Sequence, residues 1–176
     1  MRIVGIDPGT ARVGYALLDA AQGRVELRGA ETLFVPSLAT PAGRLLALER
    51  LLETRLRRDR PDVLAIERLY FSKNAKTALA VAEARGVILL TAARHVRSIG
   101  EYTPLEVKMA LTGYGRADKG QMRRMVAAIF RGTALPPGDD AIDAIAIALA
   151  GCYLRRGLAK NPPRVPEHPK GRLLNR

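Results

Sequence analysis

Ile3-Val4-Gly5-Ile6-Asp7-Pro8-Gly9-Thr10 carries four mostly apolar residues into an aspartate and then breaks at Pro-Gly. The run reads as a buried strand, with alternate side chains on opposite faces and Asp7 at or near its end. A carboxylate inside a central strand is costly unless it is paired or bound to a metal. Asp7 also has a plain alternative, since an Asx turn before Pro-Gly is common. The stretch by itself allows both readings.

Outward from it the chain reads in order. Arg12 to Leu18 and Arg24 to Leu33 alternate as two further strands, joined by a turn at Asp19 to Gly23. Three strands with short turns predict an antiparallel meander. Pro36 to Gly43 is a linker. Leu45, Leu46, Leu48, Leu51, Leu52 and Leu56 then recur at helical spacing between Gly43 and Arg58. Val63-Leu64-Ala65-Ile66-Glu67 repeats the opening theme, a short apolar run ending in a carboxylate. A helix between two strands predicts a crossover to a parallel neighbour.

Lys73 to Ala93 predicts a second helix, apolar nearly all round and therefore covered on several sides, either by the sheet and a second subunit or as a long central helix of a monomer. His95 to Tyr102 reads as a fifth strand, with His95 structural. Glu106 to Leu111 and Gln121 to Phe130 read as helices joined by a basic, glycine-bearing segment. Pro136-Pro137-Gly138 precedes a last helix from Asp139 to Arg155, with Asp139 placed as its N-cap. Residues 1–155 are expected to form one domain. Residues 156–176, with Pro162, Pro163, Pro166 and Pro169, are expected to be a disordered basic tail.

The chain has 176 residues and a net charge of +12, and residues 1–154 alone hold 22 basic against 16 acidic side chains. A polyanion such as nucleic acid is the natural partner of such a surface, although charge kept for solubility gives the same count. No run approaches the roughly 18 apolar residues of a membrane span. The absence of a signal-peptide pattern and the single Cys152, read as a small core residue, point to a reducing cytoplasm.

Asp140 and Asp143 lie three apart and project from one helical face. Acids favour a first helical turn anyway, through the helix dipole. That preference leaves Asp7 and Glu67 unexplained. If their strands are neighbours, two strand-end carboxylates converge, and the last helix can bring in the other two. Four such groups stay ionised together only beside cations, and all-oxygen donors select Mg²⁺ or Mn²⁺ over Zn²⁺. Two ions about 4 Å apart would hold a phosphodiester for hydrolysis, with Asp7 bridging them.

With these residues in place, the chain resembles the RuvC family of Holliday junction resolving endonucleases. The likeness runs from residue 1 to about 155. It rests on Gly5-Ile6-Asp7-Pro8-Gly9-Thr10, on Ala65-Ile66-Glu67-Arg68-Leu69-Tyr70-Phe71-Ser72-Lys73-Asn74-Ala75, on Ala84-Arg85-Gly86-Val87, and on Asp140-Ala141-Ile142-Asp143-Ala144-Ile145-Ala146-Ile147-Ala148. The resemblance implies an α/β, ribonuclease H-like fold: a mixed five-stranded sheet flanked by helices. It further implies a homodimer that nicks four-way DNA junctions symmetrically with Mg²⁺, in concert with the RuvA–RuvB branch-migration complex. The family's catalytic and metal-binding carboxylates fall on Asp7, Glu67, Asp140 and Asp143, its two important lysines on Lys108 and Lys119, and its base-contacting aromatic on Tyr70. Phe71, next in line, is the alternative for that contact, with core packing as its plainer reading. Arg68, Lys73, Asn74 and Lys76 give the charged and polar surround expected for opened DNA, and Arg116 extends it. Arg123 and Arg124 fit a solvated helix face equally well. A related nuclease acting on RNA and a non-catalytic junction-binding module are the competing readings. An actin-like ATPase would need a second lobe that the chain lacks.

Overall fold

The computed structural model describes residues 1–37, 40–68 and 75–155, with side chains from residue 78 in the last stretch. Five strands form one sheet: β1 (Arg2–Asp7), β2 (Arg12–Ala21), β3 (Arg24–Phe34), β4 (Val63–Glu67) and β5 (Ser98–Tyr102), in the order β3-β2-β1-β4-β5. β1, β2 and β3 make the antiparallel meander, whereas β4 is parallel to both β1 and β5. The mixed sheet follows from its connections. Short turns join the meander, and α1 (Pro41–Asp59) and α2 (Ala75–Ala93) carry the chain across to parallel strands.

Side-chain alternation sorts the core into two layers. Val4, Ile6, Val13, Tyr15, Leu64 and Ile66 face α1 and α2. Ile3, Ala16, Leu18, Val63 and Ala65 face α3 (Pro104–Thr112), α4 (Lys119–Ile129) and α5 (Asp139–Leu154). Cys152 is fully buried in this second layer, and burial pushes its thiol up to about 12, so it is a core residue.

α5 lies against the sheet more closely than ordinary side chains allow. A Cβ on Gly5 would overlap the carbonyl of Ala144, and one on Gly14 would overlap the carbonyl of Asp140. Those two glycines let the helix backbone rest on β1 and β2, with its first turn beside the end of β1.

Several boundaries differ from the sequence reading. Gly138, not Asp139, is the N-cap of α5, and it makes no side-chain cap bond. Asp139 lies in the first turn, where the helix dipole stabilises its charge, and faces Arg123 at 3.7 Å. The fifth strand begins at Ser98, because the backbone amides of His95 and Val96 bond back to Ala92 and close the end of α2. His95 lies 3.6 Å from Glu53. α2 is not covered on several sides within the chain: Ala84, Ile88 and Ala92 are buried, but Leu79 and Leu90 are exposed. Among the described residues, no helix is long and apolar enough to cross a membrane.

Candidate active site

Asp7 and Glu67 end two neighbouring parallel strands. Ile6 is paired with Ile66, so the two carboxylates stand abreast one residue further on, with strands about 4.8 Å apart. Both share a face with Gly5 and Ala65, the face on which α5 packs. Gly14, opposite Asp7 on β2, admits the first turn of α5, which carries Asp140 and Asp143 to the same place. The structure thus brings all four predicted carboxylates to one end of the sheet, each partly buried.

Their electrostatics show that they sense one another. Burial raises the Asp7 carboxyl first, and Asp143, Glu67 and Asp140 push it further, to about 7; Lys119 opposes the rise. Glu67 is raised by burial and by Asp143, against Lys108 and Lys119. Asp143 is raised by burial while Lys119, 3.6 Å away, pulls it down. Like charges held together in a partly dry site resist joint ionisation.

Both predicted lysines reach this site, each from a helix with a locally specified start. A capping box between Thr103 and Glu106 fixes α3, which carries Lys108. A second box, between Asp118 and Gln121, fixes α4, whose first residue is Lys119. Arg68 follows Glu67, and its amide donates to the carbonyl of Tyr102 at 2.7 Å. Arg68 and Arg116 are both exposed. Arg123 leans toward the carbonyls of Pro136 and Pro137 at 3.3 and 3.4 Å, so it braces the approach to α5. Tyr70, Phe71, Lys73 and Asn74 lie outside the described residues, as do the side chain of Lys76 and residues 156–176.

Two residues without a role in the sequence reading also touch this site. Arg12 lies 3.4 Å from Asp140. Arg85 donates from Nε to the carbonyl of Glu67 at 3.3 Å and pairs with Glu101, tying α2 to the ends of β4 and β5. Arg85 lies in the Ala84-Arg85-Gly86-Val87 motif, but its role was hidden, as was that of Arg12, because their partners lie 18 and 128 positions away.

Residues 3–151 match the family model of the crossover junction endodeoxyribonuclease RuvC. The chain belongs to the RuvC family. It is 46% identical over 149 residues to RuvC of Moorella thermoacetica, covering 85% of this chain and 89% of that protein. RuvC of Syntrophomonas wolfei is 43% identical over 154 residues, 88% of each chain. Thermus thermophilus RuvC solved with a Holliday junction substrate superposes with a TM-score of 0.78 at 28% identity, over 85% of this chain and 92% of that one. A second T. thermophilus RuvC structure gives 0.79 at 29% identity, over 90% and 98%. The fold is therefore the ribonuclease H-like fold of RuvC.

Proposed function

We propose that the chain is a metal-dependent endonuclease that resolves four-way DNA junctions by paired symmetric nicks, acting in recombination and repair. The observation that carries this reading is the meeting of Asp7, Glu67, Asp140 and Asp143 at one sheet end, faced by Lys108 and Lys119, in a chain of net charge +12.

The donor set fits hard divalent cations. It is all carboxylate, and burial, followed by the acidic neighbours, already raises three of its members. Among the described residues, no three acidic, histidine or cysteine side chains stand close enough as placed to hold a metal ion, so the carboxylates would have to draw together around one. Asp7, Glu67, Asp140 and Asp143 would hold two Mg²⁺, with Mn²⁺ able to substitute. Bound there, the ions would supply an activated water and stabilisation of the leaving 3′ oxygen. Lys119 and Lys108 hold the phosphate charge in the same space. Tyr70, Lys73, Asn74 and Lys76, with Arg68 and Arg116, are the proposed contacts to the opened strands, and the RuvA–RuvB complex is the proposed protein partner.

The working unit is a homodimer. Leu79, Ala82, Gly86 and Leu90 recur on one stripe of α2; Leu79 and Leu90 are 65% and 58% exposed, and nothing lies within 4 Å of a Cβ built on Gly86. An apolar helical stripe with a glycine at its middle allows a second helix to approach closely. Light scattering is expected to give about 38 kDa, twice the 19.1 kDa of the chain, and Leu90→Glu to lower it toward the monomer. A wild-type monomer that stays monomeric with junction bound would exclude the dimer.

The central test compares a labelled mobile four-way junction with linear duplex of the same sequence, in Mg²⁺ and in EDTA. Nicks in opposite arms, confined to the junction and dependent on metal, are the expected result. Binding without nicks under any metal would favour a junction-binding module. Indiscriminate cutting of duplex would remove the junction specificity. Lys119→Ala is expected to slow cleavage of bound junction by about 10- to 100-fold while weakening binding less than about threefold, since it acts on charge at the cut. If binding collapses and bound junction still turns over normally, Lys119 is only a phosphate anchor.

A further inference from the structure

Beyond the carboxylates, the same face of the sheet continues outward. Asp7, Gly14 and Thr32 stand abreast on β1, β2 and β3. Two residues further out on β2 and β3, Arg12 is paired with Phe34, about 7 Å beyond the Asp7 row. Alternation puts both side chains on the α5 face, because their neighbours Val13 and Leu33 are buried on the other one.

Both are exposed where burial would be expected of a structural role. Phe34 is 70% exposed, between Leu33 at 2% and Val35 at 7%. The Arg12 side chain is 64% exposed, and among the described residues its polar contact is a 3.4 Å ion pair with Asp140. That leaves most of a planar five-donor fork directed at solvent beside the carboxylates.

We infer that Arg12 and Phe34 form a nucleic-acid contact row, with Arg12 on a phosphate flanking the scissile one and Phe34 against an unpaired base or sugar of the same strand. The inference rests on the reading of the carboxylate site as a junction-cutting site. Its support is continuity and chemistry. A strand positioned with one phosphate at Asp7 must pass over the sheet end, and the row lies within the span of the adjacent nucleotides. A guanidinium with free donors suits a phosphate oxygen. An exposed aromatic face offers stacking to any base, provided that the base is unpaired, as it is where a junction is opened. The row is continuous with the carboxylate site, and a strand seated there must cross it, so DNA is the occupant.

The experiment uses full-length protein and an uncleaved four-way junction in EDTA, with 2-aminopurine placed next to the cut position mapped for the wild type. Arg12→Gln is expected to weaken binding about three- to tenfold and to lower the slope of log affinity against log salt by roughly one. Phe34→Ala is expected to weaken binding about fivefold and restore 2-aminopurine emission, with little change in salt slope. Phe34→Trp is expected to restore both binding and quenching. Wild-type affinity, slope and emission in Arg12→Gln and Phe34→Ala, with a wild type that cleaves junctions, would overturn the contact row and leave the active site standing. A wild type that neither binds nor cleaves junctions would overturn the proposed function and the row with it.

Discussion

Asp7→Asn is expected to lower junction cleavage by at least on the order of a thousandfold while junction binding is retained. Asp7 is the carboxylate that every other member of the cluster acts on, and it ends the central strand. Asparagine keeps the shape but removes the charge that would hold the ions, and loss of several kcal/mol of transition-state stabilisation gives a rate effect of that size. The basic surface is untouched, so affinity in EDTA should stay within about twofold of wild type. Cleavage at the wild-type rate would sink the site assignment.

The same variant carries a stability signature. In the metal-free fold Asp7 is raised from 3.8 to about 7, mainly by burial and then by its acidic neighbours. Between those values the folded chain keeps a proton that the unfolded chain has released, so stability falls as pH rises from about 4 to about 7. Asp7→Asn cannot lose that proton. In EDTA at pH 8 the variant should therefore melt above the wild type. A stabilisation of about 2 kcal/mol would raise Tm by roughly 4–8 °C. The gap should close at pH 4, and Mg²⁺ should raise the wild type more than the variant. A variant that melts at or below wild type at pH 8 would show that burial and the acidic neighbours do not hold Asp7 in this way.

Gly14→Ala is expected to cost about 1–3 kcal/mol of stability by overpacking and about a hundredfold or more in cleavage. The added Cβ would overlap the Asp140 carbonyl and approach the Cβ of Asp7 at 3.0 Å. Backbone cannot swing aside as a side-chain tip can, so the first turn of α5 must lift from β2. Asp140 and Asp143 would move with it, and a displacement near 1 Å at reacting groups is enough for a hundredfold loss. Urea denaturation and single-turnover cleavage would measure the two effects separately. A stable variant with normal cleavage would mean that α5 can shift without carrying its carboxylates.

Much of this could be read from sequence because it is written in local periods. Alternation marked β2 and β3, short apolar runs marked β1 and β4, leucine spacing marked α1, and the ends of those apolar runs at Asp7 and Glu67 singled out the carboxylates. Helix ends were less legible. Asp139 matches the usual cap residue, yet Pro136-Pro137-Gly138 already turns the chain, so Gly138 takes the cap without a side-chain bond. The composition of α2 marked it as apolar nearly all round, but the pattern does not say which face meets the sheet and which is left for another molecule.

By itself the sequence indicated most of the elements and the family, and it singled out four candidate carboxylates, because periodicity and motif spacing are properties of neighbouring residues. Only the tertiary structure decided the strand register that sets Asp7 beside Glu67, the glycine contacts that lower α5 onto β1 and β2, and the exposed pairing of Arg12 with Phe34. Those depend on which strands lie side by side and how closely a helix may approach them. Such relations are fixed by packing between residues far apart in the chain, where no local spacing records them.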